Sequence, residues 1–146
     1  MPFETPFPPA VFGGTITAAA HEHGGDPPQT IIRTNQSWAV DVTWQNTGSA
    51  TGMITGEYDL HLLLESIGPG VDLDLVDPND HIIPLTPGTS PVDYGPRHVF
   101  VPANRVPAGM YKLAVMLRYR EPSPGNPPGP VAAYHEISQA LQFYDP

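Results

Sequence analysis

Hydrophobic and polar residues alternate with a period of two along four stretches of the chain, and this alternation predicts half-buried β-strands. In SWAVDVTWQ, Trp38, Val40, Val42 and Trp44 point one way, while Ser37, Ala39, Asp41, Thr43 and Gln45 point the other. EYDLHLLLE places Tyr58, Leu60, Leu62 and Leu64 inward and leaves Glu57, Asp59, His61, Leu63 and Glu65 outward. MYKLAVMLRYR turns Tyr111, Leu113, Val115, Leu117 and Tyr119 inward, and near the end Ile137, Leu141 and Phe143 face the same core. Shorter strands are expected at 11–20, 30–34, 71–76, 81–85 and 97–101, separated by breakers such as HGGDPP, NTGSATG, DPND and EPSPGNPPGP. No segment keeps a helical period over ten residues free of Gly and Pro. The pattern predicts an all-β, antiparallel sandwich of about 7–9 strands, with a closed barrel as the alternative.

Composition sharpens this picture. The chain has 146 residues, enough for one core and too short for two ordinary ones. Its 20 prolines and 14 glycines are nearly twice average usage, so the turns and loops must hold them. Residues 1–10 read as a proline-rich N-terminal arm with Phe3 and Phe7 as anchors, lying across its own domain or a neighbour, and residues 11–146 read as the sandwich. No apolar window is long enough to cross a membrane as a helix, and the start lacks the basic and apolar regions of a signal peptide. The absence of cysteine excludes disulfides and thiolate chemistry without fixing the compartment.

The formal charge of −9 argues against nucleic-acid partners and anionic lipid, both of which need a basic footprint. Charge is also segregated, since residues 57–80 hold seven acids and no Lys or Arg, and residues 97–120 hold five of the six bases and no acid. Either the two segments are neighbouring strands that pair within one chain, or opposite surfaces meet between subunits.

Chemistry-bearing motifs are few. No nucleophile elbow, phosphate loop, zinc-protease or dinucleotide signature occurs. His21 and His23 in HEHGG have the spacing of a two-histidine metal clip, though loop histidines beside Gly-Gly are ordinarily just solvated. In VDLDLVDPND, Asp72, Asp74, Asp77, Asn79 and Asp80 could offer oxygens to calcium, but the intervals do not match an EF-hand loop. A short edge strand carrying outward Asp72 and Asp74, then a turn opened by Asp77 and Pro78, accounts for every residue. No cofactor or metal is therefore expected. Tyr94 in PVDYGPR and Tyr134 in VAAYHE are the aromatic residues expected to be exposed enough to stack on a sugar.

In PAGMYKLAV, a tight Ala108-Gly109 turn precedes Tyr111 at the start of a strong strand, and this resembles the tyrosine corner of immunoglobulin-like sandwiches. VDVTWQNTGSATG followed by EYDLHLLLE is similar to the cell-adhesion-related sandwich domains of bacterial surface proteins. The resemblance implies an immunoglobulin-like fold and a non-enzymatic spacer, adhesion or assembly module; the arm and the separated charge add the expectation that it docks or self-associates, in an extracellular, surface-associated or particle-like setting. Its expected partner is protein, in the first instance a homo-oligomer; a glycan- or receptor-binding adhesion module is the alternative, and a metal-dependent enzyme the remote one. Phe3, Phe7, Asp72, Asp74, Tyr94, Arg97 and Asn126 are the candidate contact residues. Loops 46–56 and 121–130 are expected to gather at one end, the second stiffened because half its residues are proline.

Overall fold

The structure is a computed structural model, and it describes residues 2–24, 30–76 and 82–146. Ten strands are present among these residues: β1 Gly13–Glu22, β2 Ile31–Arg33, β3 Trp38–Thr47, β4 Glu57–Ser66, β5 Leu73–Asp74, β6 Ile82–Pro84, β7 Val92–Val101, β8 Gly109–Arg120, β9 Pro128–Glu136 and β10 Leu141–Tyr144. They form two sheets. Sheet A has the order β1-β3-β7, and sheet B the order β2-β10-β8-β4-β5, with β6 also pairing β4 and β9 also pairing β8. All pairs are antiparallel except β2 with β10. The chain is all-β and sandwich-like, as the alternation predicts.

Its core lies between the sheets and is built from the inward residues of β3, β4 and β8. Trp38, Val40, Val42 and Trp44 face Tyr58, Leu60, Leu62, Leu64, Leu113, Val115 and Leu117, all buried. Each large side chain taken out of water contributes about 1.5–3 kcal/mol. At one end the core is aromatic: Tyr94 stacks on Trp44 at 5.3 Å and 7°, and Tyr58 meets both edge-on. Tyr94 is therefore a core residue, and its expected exposure is corrected. A bulge causes this, because Gly95 and Pro96 are the extra residues opposite Thr43 and shift the phase of β7. Gly95 has φ 96°, and a Cβ there would stand 2.7 Å from the Val42 carbonyl oxygen, so only glycine fits.

Three other expectations change. Residues 71–76 form only the two-residue β5, and the turn expected at 77–80, with His81, lies outside the described residues. The loop expected at 121–130 ends earlier, since β9 begins at Pro128; proline is tolerated at a strand start and beside a bulge, and both apply here. Ile137 follows β9 rather than sharing a strand with Leu141 and Phe143.

The arm is docked on its own domain. Phe3 N–H donates to the Gly14 carbonyl at 2.9 Å, while Glu4 exchanges backbone bonds of 2.7 and 2.9 Å with Ala132. The arm thus spans β1 of sheet A and β9 of sheet B, covering two edges at once. Phe3 is buried against the edge of Tyr58, at a ring separation of 6.2 Å.

Tyr58 gives this core a pH limit. Its hydroxyl donates to Asn46 Oδ1 at 2.9 Å, both residues are buried, and burial pushes the phenol well above its ordinary value. A folded-state value raised in this way contributes stability that is complete below about pH 10 and is lost as pH climbs toward the folded value. Denaturant titrations at rising pH should show stability falling above about pH 10, and Tyr58→Phe should flatten that fall. At neutral pH the same variant should cost about 1–3 kcal/mol, because Asn46 loses its buried partner.

Candidate functional site: the loop end of the sandwich

Loops 46–56 and 121–127 meet at one end of the sandwich, beside the docked arm. A short 3₁₀ helix, Ser49–Gly52, is held from two sides. Ser49 and Ala50 N–H groups donate to the carbonyls of Ala10 and Val11 at 3.0 and 2.8 Å, and the buried Thr51 hydroxyl donates to the Gly88 carbonyl at 2.9 Å. The Tyr119 hydroxyl donates to the Thr55 carbonyl, tying this loop to β8. Burial raises the Tyr119 phenol, and neighbouring Glu121 raises it further.

Beneath the second loop runs a charged network. Arg120 Nε and Nη2 both donate to Asp59 Oδ2, at 3.0 and 2.7 Å, and Asp59 is buried. Arg120 Nη1 donates to the Asn126 carbonyl at 3.3 Å, and Asn126 Nδ2 donates to Glu57 Oε1 at 2.8 Å. His61 places Nε2 3.1 Å from Asp59 Oδ1 and Nδ1 2.7 Å from Asp74 Oδ2, so one ring bridges both carboxylates. Burial alone would raise the Asp59 carboxyl; the hydrogen bonds from Arg120 and His61 together outweigh it and hold the group below its usual range. Asn126, with φ 43°, takes the left-handed conformation that lets the loop turn back onto β4.

This network settles the segregated charge. β4 and β8 are antiparallel neighbours with Glu57 opposite Arg120, Asp59 opposite Arg118 and Glu65 opposite Lys112. Acidic and basic segments therefore meet within one chain. Asp59 is also buried where the alternation expected exposure, since Arg120 and His61 lie over an outward-facing carboxylate.

The candidate contact residues divide among several places. Phe7 stands exposed at the loop end, and Asn126 organises the loop beside it. Phe3 is buried as the anchor of the arm. Asp72 Oδ1 accepts the Ser66 amide at 3.0 Å, and Asp74 is engaged by His61, so both acids are used within the chain. Arg97 lies opposite Val42 on the inner side of β7 and lines a lateral cleft of about 1010 Å³ together with Asp74 and Tyr94. Of the suggested calcium donors, Asp77, Asn79 and Asp80 lie outside the described residues.

Two features escaped the sequence reading. One is the apolar surface made where arm and loop meet: Phe7, Val11 and Met53 are exposed and border a hollow of about 180 Å³ with Ala50 and Ile54. Its residues come from segments about forty positions apart, and only the docked arm joins them. The other concerns His21, whose neighbours are Asp41 and His98 rather than His23; His23 packs its ring edge-on with Phe100 instead. The outward phase of Asp41 was legible, but the register of β1, β3 and β7 was needed to bring the three together. Comparison with known proteins finds no matching family model and no matching relative among curated sequences.

Proposed function

We propose that this chain is a non-catalytic binding and assembly module that associates with further copies of itself through the loop end. The observation that carries this reading is the joined apolar surface of Phe7, Val11 and Met53, exposed to 44%, 37% and 79%. An apolar patch joined across separate segments, on a chain with a solvated acidic surface, marks a contact site. Acid-to-base pairing between copies is not the driving force here, because those segments already pair within the chain. A two-fold arrangement would set the patch against itself.

The immunoglobulin-like reading belongs to the same proposal. It is supported by the Tyr111 hydroxyl, which donates to the Pro107 carbonyl at 3.0 Å, and by β8 lying between β4 and β10 in the sheet facing β1-β3-β7. Met53→Glu is the direct test. Light scattering should give a mass that rises with concentration for the wild type and stays at one chain for the variant, with the melting temperature unchanged because Met53 is so exposed. Equal masses for both would remove the reading.

A glycan-binding role has one observation of its own. Tyr134, 45% exposed, borders a hollow of about 320 Å³ over Leu63 and Ala114 on the outer face of sheet B, rimmed by Asp72, Asp74 and Lys112. An aromatic face beside hydrogen-bonding groups suits a sugar ring. Glycan-array binding lost in Tyr134→Ala would favour this role over self-association.

A further inference from the structure

We infer that His21, Asp41 and His98 form a binding site for a first-row divalent transition metal on the outer face of sheet A. The three residues come from β1, β3 and β7, and the strand register explains their meeting. Asp41 is directly opposite His98, while His21 is opposite Ala39, two positions along from Ala19, the β1 partner of Asp41. All three side chains therefore leave the same face, with Asp41 between the two imidazoles. His21 Nε2 is 3.0 Å from Asp41 Oδ2, and His98 Nδ1 is 2.6 Å from Asp41 Oδ1. One donor atom from each residue lies within 4.8 Å of the others, close enough for a single ion to reach all three.

The orientation of His21 points to the ligand. Its Nδ1 donates to the Glu22 carbonyl at 2.8 Å, which fixes the ring with Nε2 turned toward Asp41. Nε2 faces the Asp41 carboxylate at 3.0 Å, so an ion seated between them would take a nitrogen and an oxygen donor at once. A backbone carbonyl behind the distal nitrogen is the support that metal-binding imidazoles ordinarily have. Two imidazoles and one carboxylate suit zinc, copper or nickel, whereas calcium and magnesium want oxygens. Around zinc, with bonds of about 2.0–2.1 Å, tetrahedral donors stand roughly 3.3–3.4 Å apart, inside the 4.8 Å within which the three donors here already lie. The environment is rigid on one side and open on the other. His21 and Ala39 are buried in the sheet surface, whereas His98 is about half exposed, leaving a solvent-facing fourth position.

Zinc titrated into the full chain by calorimetry, with the melting temperature followed in parallel, tests the site. The wild type should bind one equivalent that raises the melting temperature. His98→Ala and Asp41→Asn, both at partly exposed positions, should each weaken that binding by at least about tenfold, and their combination should abolish it. His23→Ala should leave it unchanged, since that ring lies against Phe100. Cobalt in place of zinc should give visible absorption bands that the double variant lacks. No binding at zinc concentrations up to about 1 mM, or equal binding by the wild type and the double variant, would overturn the assignment.

Discussion

Asp59→Ala should lower the folding stability by about 3–5 kcal/mol, the cost of removing one partner from a buried ion pair. Asp59 accepts two bonds from Arg120 and one contact from His61, so its loss leaves the Arg120 guanidinium without its carboxylate and His61 without one of its two. The effect should spread. Arg120 also holds the Asn126 carbonyl, and His61 also holds Asp74, so loop 121–127 and β5 should both loosen. A double-mutant cycle with Arg120→Ala should be strongly non-additive, because each single change leaves the other charge stranded. The pH dependence follows from the depressed carboxyl. A group held below its unfolded value contributes stability that is complete above about pH 4 and is lost as pH falls through the folded value. Urea titrations between neutral and acid pH should show this loss in the wild type and a shallower one in Asp59→Ala. A variant within about 1 kcal/mol of the wild type would show that the network contributes little.

Phe3→Ala should cost up to about 3–5 kcal/mol, the usual range for emptying a buried phenylalanine site. Phe3 lies 7% exposed against Tyr58, and its ring sits so close to Gly14 that a Cβ there would be 3.2 Å from Phe3 Cδ1. The side chain anchors the whole arm. Without it, the backbone bonds to Gly14 and Ala132 lose their anchor, and β1 and β9 present uncovered edges. Limited proteolysis should then cut within residues 1–10 before any cut in the strands, and the variant should aggregate more readily. Phe7→Ala offers the contrast: at 44% exposure it should change stability by about 0.5 kcal/mol or less, while weakening self-association. A Phe3→Ala protein with an intact, protected arm would contradict the anchoring role.

What was legible in the sequence depended on whether a strand has one face in the core and one in water. β3, β4 and β8 are such strands, and their inward sets, including both tryptophans, are buried as the alternation requires. β9 was hidden because Pro128, Gly129 and Pro130 read as loop, yet an edge strand beside a bulge tolerates them. Asp59 and Ala39 were placed outward correctly by phase, but phase does not reveal what covers an outer face. Arg120 covers one, and the other lies in the row between His21 and Phe100. The candidate sites depend still more on pairing register. Alternation assigns Asp41 to a face, but only the alignment of three strands brings it to His21 and His98. Tyr94 was misplaced for a local reason, since the bulge after it changes which residues of β7 face inward. The arm's anchors were identified from composition, but their division of labour, Phe3 buried and Phe7 exposed, follows from where the arm crosses the two sheet edges.

Association through an apolar loop end has a salt signature opposite to that of charge pairing between subunits. Two chains of net charge −9 repel each other, and salt screens that repulsion while leaving apolar attraction in place. Sedimentation equilibrium of the wild type from about 20 mM to about 500 mM salt should therefore show self-association strengthening as salt rises. Association that weakens with salt, or a single-chain mass at every salt and protein concentration, would rule out an apolar interface at the loop end.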